Sequence, residues 1–167
     1  MDILSGFLEA MVRMSCPIML ASLGALFTAR AGIINFAMEG IMIMGAFFSV
    51  YGSFITGNPW VGALLGMLGG LVASLVLGVM SISVKVDQVV AGTGINVLFL
   101  GLTSYLFAVM YPGGQPSSVT AFKSVMIPGL SSIPVIGVLF QQNLLTYIAF
   151  LLVPLIWYLL NRTSFGL

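Results

Sequence analysis

The sequence predicts an all-α fold: a polytopic bundle of about five transmembrane helices led by an N-terminal amphipathic helix. Three observations carry that prediction. Hydrophobic residues make up 60% of the chain and charged residues 5%, too few charges to clothe a soluble body of this size. Apolar stretches recur at lengths that match a hydrocarbon core about 30 Å thick, crossed at about 1.5 Å per residue. The segments between them are rich in turn formers and charges, where a chain leaving lipid can reverse.

The N-terminus opens on Asp2 and Glu9 where a secretory signal would carry basic residues. Ile3, Leu4, Phe7, Leu8, Met11 and Val12 recur at helical spacing, with Asp2, Ser5, Glu9 and Arg13 mostly opposite. That pattern describes an amphipathic lead-in lying against membrane lipid, with Glu9 and Arg13 as an i,i+4 pair. Spans are then predicted at residues 14–29, 33–55, 60–84, 88–110 and 144–160. The first and last are short and contain Pro17 and Pro154, which predicts kinks or partial spans.

The connections differ in character. Arg30-Ala31-Gly32 is tight, Thr56-Gly57-Asn58-Pro59 is an uncharged turn, and Lys85-Val86-Asp87 is short and charged. Residues 111–143 hold Pro112, Pro116, Pro128 and Pro134, too broken for a span, and are expected to form a solvent-side cap whose apolar piece at 124–130 rests on the membrane. Arg30, Lys85 and Arg162 gather at one side and Arg13 and Lys123 at the other. The side with more positive charge is expected to be cytoplasmic, which puts the long loop outside.

Composition also excludes function classes. A net charge of +1 without a basic run argues against nucleic acid as a partner. The chain has no His and one Cys, Cys16, inside an apolar segment, so zinc motifs, a disulfide framework and the commonest general base are missing together. No catalytic residue and no metal site is assigned. No Gly-rich loop ends in Gly-Lys-Ser/Thr, so the chain is expected to carry no cofactor and any ATP to be bound by another polypeptide.

Three polar or small-residue patterns stand out. Gly62, Gly66, Gly70, Ser74 and Gly78 fall four apart through the third span, with Gly69 and Ala73 alongside. They predict close helix packing, or else a flexing element in alternating access. In the second span Gly32, Asn35 and Glu39 share one helical face, continued by Ala46, Ser49 and Ser53. A carboxylate in hydrocarbon must be paired, protonated or wet, so Glu39 either stands on a translocation pathway or, with the helix broken at Gly32 and Gly40, caps a half-helix or bonds a neighbouring span. The fourth span offers Gln88, Gly92, Asn96 and Thr103 on one face with Thr93 beside it. Asn35, Glu39, Gln88, Thr93 and Asn96 are therefore candidates for a substrate pathway, since amides and hydroxyls suit a neutral polyhydroxylated or heterocyclic solute. Interhelical hydrogen bonding would place the same residues there without a solute.

The stretch Arg30-Ala31-Gly32-Ile33-Ile34-Asn35-Phe36-Ala37-Met38-Glu39-Gly40-Ile41-Met42, followed by Gly45-Ala46-Phe47, resembles the signature of the nucleoside and simple-sugar permeases of ABC importers, the ribose-type family. A second block, Asp87-Gln88-Val89-Val90-Ala91-Gly92-Thr93 with Asn96 and Leu100-Gly101-Leu102-Thr103, resembles the same family further along. Gly32 to Ala37 also resembles branched-chain amino-acid permeases, but Glu39-Gly40 and Asp87-Gln88-Val89-Val90 favour the nucleoside and sugar branch. The resemblance implies a non-enzymatic importer subunit in the bacterial inner membrane. Its implied partners are an ATP-binding subunit, a second permease subunit and an extracytoplasmic substrate-binding protein. Arg162 to Leu167 resembles the entry to the segment that touches the ATPase, so residues 1–167 are expected to form one transmembrane domain, the N-terminal part of a longer permease. The competing reading is a membrane scaffold subunit whose polar faces only join helices. A channel would show rings of charge or a repeated filter-like loop, and neither occurs in the sequence.

Overall fold

A computed structural model describes residues 2–114, 119–122 and 142–163, with side chains from residue 6 onward. The helices are α1 (Asp2–Arg30), α2 (Met38–Thr56), α3 (Pro59–Gly78), α4 (Gln88–Met110) and α5 (Leu144–Arg162). All five are long and apolar enough to cross a membrane. The apolar piece at 124–130 lies outside the described residues. The chain forms two compact units, Met1–Arg30 with Phe122–Leu167, and Ala31–Ala121.

In the first unit α1 packs against α5. The lead-in and the first span, expected as two elements, form one helix of 29 residues. Between Gly6 and Pro17 the sequence holds no glycine or proline, so nothing ends the helix at the junction of lead-in and span. Pro17 and Pro154 both lie inside helices that continue past them.

In the second unit α2 begins at Met38, five residues later than the start expected at residue 33. The reason is local: Gly32 takes a left-handed φ of 79°, and the Asn35 side chain accepts the Ala37 N–H at 3.1 Å. Both features compete with the helix ladder. The helix ends at Gly57, whose left-handed φ lets its N–H reach back to the Ser53 carbonyl. Asn58 then caps α3, accepting the Trp60 N–H, with Pro59 in the first turn. Past Gly78, α3 widens into a π turn, Val79–Ser83, closed by the Val84 N–H on the Val79 carbonyl at 3.1 Å. Lys85 reverses the chain with φ 58°, and Asp87 caps α4 by accepting the Val89 and Val90 N–H groups.

Small residues set how closely α2 and α3 approach. A Cβ on Gly62 would stand 2.7 Å from the Ser49 carbonyl oxygen, and one on Gly66 2.9 Å from the Gly45 carbonyl oxygen. Gly69 meets Phe48, Ala73 is fully buried, and a Cβ on Gly70 would be 3.9 Å from Ile41. Ser74 is exposed and bonds its own helix at Leu71, and Gly78 has open space around it. The contact face thus runs Gly62, Gly66, Gly69, Ala73. Steps of four residues drift by about 40° each on a helix of 3.6 residues per turn, so a stripe at strict spacing of four leaves the contact within a few turns. The core beneath it joins Ala37, Met44, Ala73, Leu77, Ala91, Ile95 and Phe99. Large apolar side chains such as Leu64, Met67, Leu71 and Val97 point outward, as lipid-facing positions should.

Gly62→Ala is expected to destabilise the purified chain by about 1–3 kcal/mol through overpacking, and Gly78→Ala to leave it unchanged. Thermal unfolding in detergent compares them directly. Equal midpoints for the two variants would contradict the packing described.

Candidate functional site

Two of the polar residues predicted for a pathway, Gln88 and Asn96, meet the segment ahead of α2 where α4 passes it, and they do so through its backbone. The Oε1 of Gln88 accepts the Ile34 N–H at 2.8 Å, and its Nε2 donates to the Gly32 carbonyl at 3.4 Å. Two turns on, Oδ1 of Asn96 accepts the Gly40 N–H at 2.7 Å and Nδ2 donates to the Phe36 carbonyl at 2.9 Å. Eight residues along α4 is about 12 Å at the helical rise, enough for the two amides to hold both ends of residues 32–40. An amide suits this task because it offers a donor and an acceptor together, as a peptide group does.

The contact at Asn96 also answers a local shortage. Ala37, at the N-cap position of α2, makes no side-chain cap, and the first N–H groups of a helix have no partner within it. Asn96 supplies one from another helix. A Cβ on Gly40 would lie 3.0 Å from the Asn96 Cα, and one on Gly92 would overlap Phe36. Glycine at both positions lets the backbones come within reach of the amide.

The remaining predicted residues stand apart from these bonds. Asn35 and Glu39 do not share a helical face, because residues 31–37 are not helical. Asn35 turns onto its own backbone at Ala37. Glu39 lies in the first turn of α2, exposed, where the helix dipole favours a carboxylate. Thr93 is exposed and its hydroxyl donates to Val89 and Val90 of its own helix. The structure therefore brings Gln88 and Asn96 to the segment that contains Asn35 and Glu39, by way of main-chain atoms.

Farther along the same two helices a groove of about 520 Å³ opens, lined by Ile43, Ala46, Phe47 and Val50 on α2 and by Leu100, Thr103, Ser104 and Phe107 on α4. Phe47 stacks parallel to Tyr51 at 6.3 Å between centroids, and Phe48 meets Phe47 edge-on at 5.5 Å. Tyr111 lies against Phe107 at 5.0 Å and Phe54 at 5.3 Å, closing the far end of the helix pair with aromatic rings. The Tyr111 hydroxyl is buried without a hydrogen-bond partner among the described residues. Burial, then the nearby Tyr51, raises its pKa above the ordinary phenol value, so it stays a neutral donor. Ala46 and Thr103 lie on the polar faces read from the sequence. Phe47 and Phe107 gave no signal there, since an aromatic residue in a span reads as lipid-facing or core.

The family whose model matches residues 7–167 is described as branched-chain amino acid transport system / permease component. Among curated proteins, the guanosine ABC transporter permease protein NupQ of Bacillus subtilis is 35% identical, over 99% of this chain and 55% of its own length. The nucleoside ABC transporter permease protein NupC of Lactococcus lactis is 37% identical, over 92% of this chain and 51% of its own. A Haloferax volcanii permease provisionally named for glucose is 33% identical, over 100% of this chain and 51% of its own. The chain thus spans about half the length of these relatives. No solved structure matches.

Asn96→Leu leaves the Gly40 N–H without its partner, at a cost of about 1–3 kcal/mol, and also removes the bond to the exposed Phe36 carbonyl. Its thermal midpoint in detergent should fall well below that of Asn96→Asp, which keeps an acceptor for Gly40. Thr93→Val, which loses only bonds within its own helix, should stay near the unaltered protein. Equal midpoints for Asn96→Leu and Thr93→Val would show that the amide contacts hold nothing.

Proposed function

The chain belongs to the permease family described as branched-chain amino acid transport system / permease component, and on that premise we propose that it forms part of an ABC importer for nucleosides, with simple sugars as the related class. It is a multi-pass protein of the plasma (inner) membrane, a transport component and not an enzyme. The observation that carries the nucleoside reading is the pair of relatives named for guanosine and nucleosides, which match almost the whole chain. In this reading the chain binds no cofactor of its own. ATP is hydrolysed by a separate ATP-binding subunit, a second permease subunit completes the pathway, and an extracytoplasmic substrate-binding protein delivers the solute. The loop after Met110 faces that binding protein.

Asn35, Glu39, Gln88, Thr93 and Asn96 mark the approach to the pathway at the N-terminal ends of α2 and α4. Gln88 and Asn96 hold its wall, because their amides are engaged with backbone. The exposed Glu39 carboxylate and Thr93 are the groups left to meet a solute or a neighbouring helix. Those same amide contacts also favour the scaffold reading for Gln88 and Asn96, and uptake per folded molecule separates the two.

The test is uptake of radiolabelled guanosine, ribose and leucine by cells carrying the complete transporter, compared with cells lacking this gene. Guanosine uptake should disappear with the gene, return on complementation and stop when ATP is depleted, while leucine uptake stays unchanged. Loss of leucine uptake alone would overturn the reading. In the same cells Asn96→Leu should lower uptake further than it lowers folded protein, because displacing the start of α2 disturbs the pathway. Proportional losses would assign Asn96 to scaffolding alone.

A further inference from the structure

We propose that the groove between α2 and α4 is a transit site for the flat heterocyclic base of a neutral nucleoside, with Phe47 and Phe107 as its stacking surfaces and Thr103 and Ser104 as its polar contacts. The proposal rests on the nucleoside reading above and adds where in this chain the solute is held. Its size fits: about 520 Å³ falls within the range of about 300–1,000 Å³ typical of small-molecule sites. Its chemistry fits as well, being mostly apolar and aromatic with a few placed polar atoms.

Each wall contributes one aromatic ring to the groove, Phe47 from α2 and Phe107 from α4. Rings of this kind accept any base, since every base has a π face. The two hydroxyls are selective in another way. Thr103 donates to the Phe99 and Leu100 carbonyls at 2.7 and 3.2 Å, and Ser104 to Leu100 at 2.7 Å. With their hydrogens so engaged, their oxygens are left as acceptors, suited to the hydroxyls of a ribose or the amino group of a base. Among the described residues no charged side chain lines the groove, so a phosphorylated nucleotide would bring its negative charge into apolar surroundings without a countercharge from them.

The experiment uses the complete transporter in membrane vesicles, with 8-azidoadenosine as photoprobe and labelled guanosine for uptake. The probe should attach within residues 43–51 or 100–107, be displaced by excess guanosine, and not be displaced by guanosine monophosphate. Phe47→Leu, compared at equal membrane protein level, should lower guanosine uptake about tenfold, the order expected for one lost base–aromatic contact, and Phe47→Trp should restore it. Attachment only elsewhere, attachment insensitive to guanosine, or equal uptake by the Leu and Trp variants would overturn the proposal while leaving nucleoside import intact. If Phe47→Leu does not reach the membrane, the attachment map on the unaltered protein decides. Absence of nucleoside uptake by the unaltered transporter would instead remove the functional reading, and this site with it.

Discussion

A backbone N–H or C=O that leaves the helix ladder near hydrocarbon has no water to turn to, and each one left unpaired is expensive. Residues 31–37 are where this chain runs that risk, because α2 does not begin until Met38. The amides of Gln88 and Asn96 resolve it by taking two backbone groups each. Much of the second unit depends on that contact. It secures the segment ahead of α2, keeps Gly40 against Asn96 and Phe36 against Gly92, and so fixes the crossing of α2 on α4.

Glycine and serine then decide where helices touch and where they part. On the α3 side of α2, Gly62 and Gly66 lie against the backbone near Ser49 and Gly45, which leaves no room for a solute. On the α4 side the pair is tight at Gly40 and Asn96 but opens beyond them, where Ala46, Phe47 and Val50 face Thr103, Ser104 and Phe107. One helix thus carries a closed seam and an open groove. A passage through a permease needs both, since a path must be walled to be selective and yielding to be crossed.

Much of the architecture was legible in the sequence. The third and fourth spans were expected at 60–84 and 88–110, against helices that run from Pro59 through the π turn to Ser83 and from Gln88 to Met110. Asn58, Pro59 and Asp87 mark these starts by capping chemistry that can be read directly. The start of α2 was legible only as one of two readings: a break at Gly32 with Glu39 at a helix start could be read, but hydropathy counts Ile33, Ile34 and Phe36 as span-forming, while the backbone there follows Gly32 and Asn35. The partners of Gln88 and Asn96 were legible by region and not by atom. Sequence spacing brings side chains to a face, but it does not show that the facing groups are main-chain. The groove was hidden for a similar reason, since its shape comes from how two helices diverge and its aromatic walls look like any apolar residue in a span.

The claim that most else follows from is that α4 amides hold the N–H groups of Ile34 and Gly40. Residue-resolved hydrogen exchange on the unaltered protein in lipid nanodiscs tests it most directly. Both amides are expected to exchange as slowly as those in the middle of α2, although Ile34 lies outside any helix. Exchange at Ile34 and Gly40 as fast as in an open loop would contradict it.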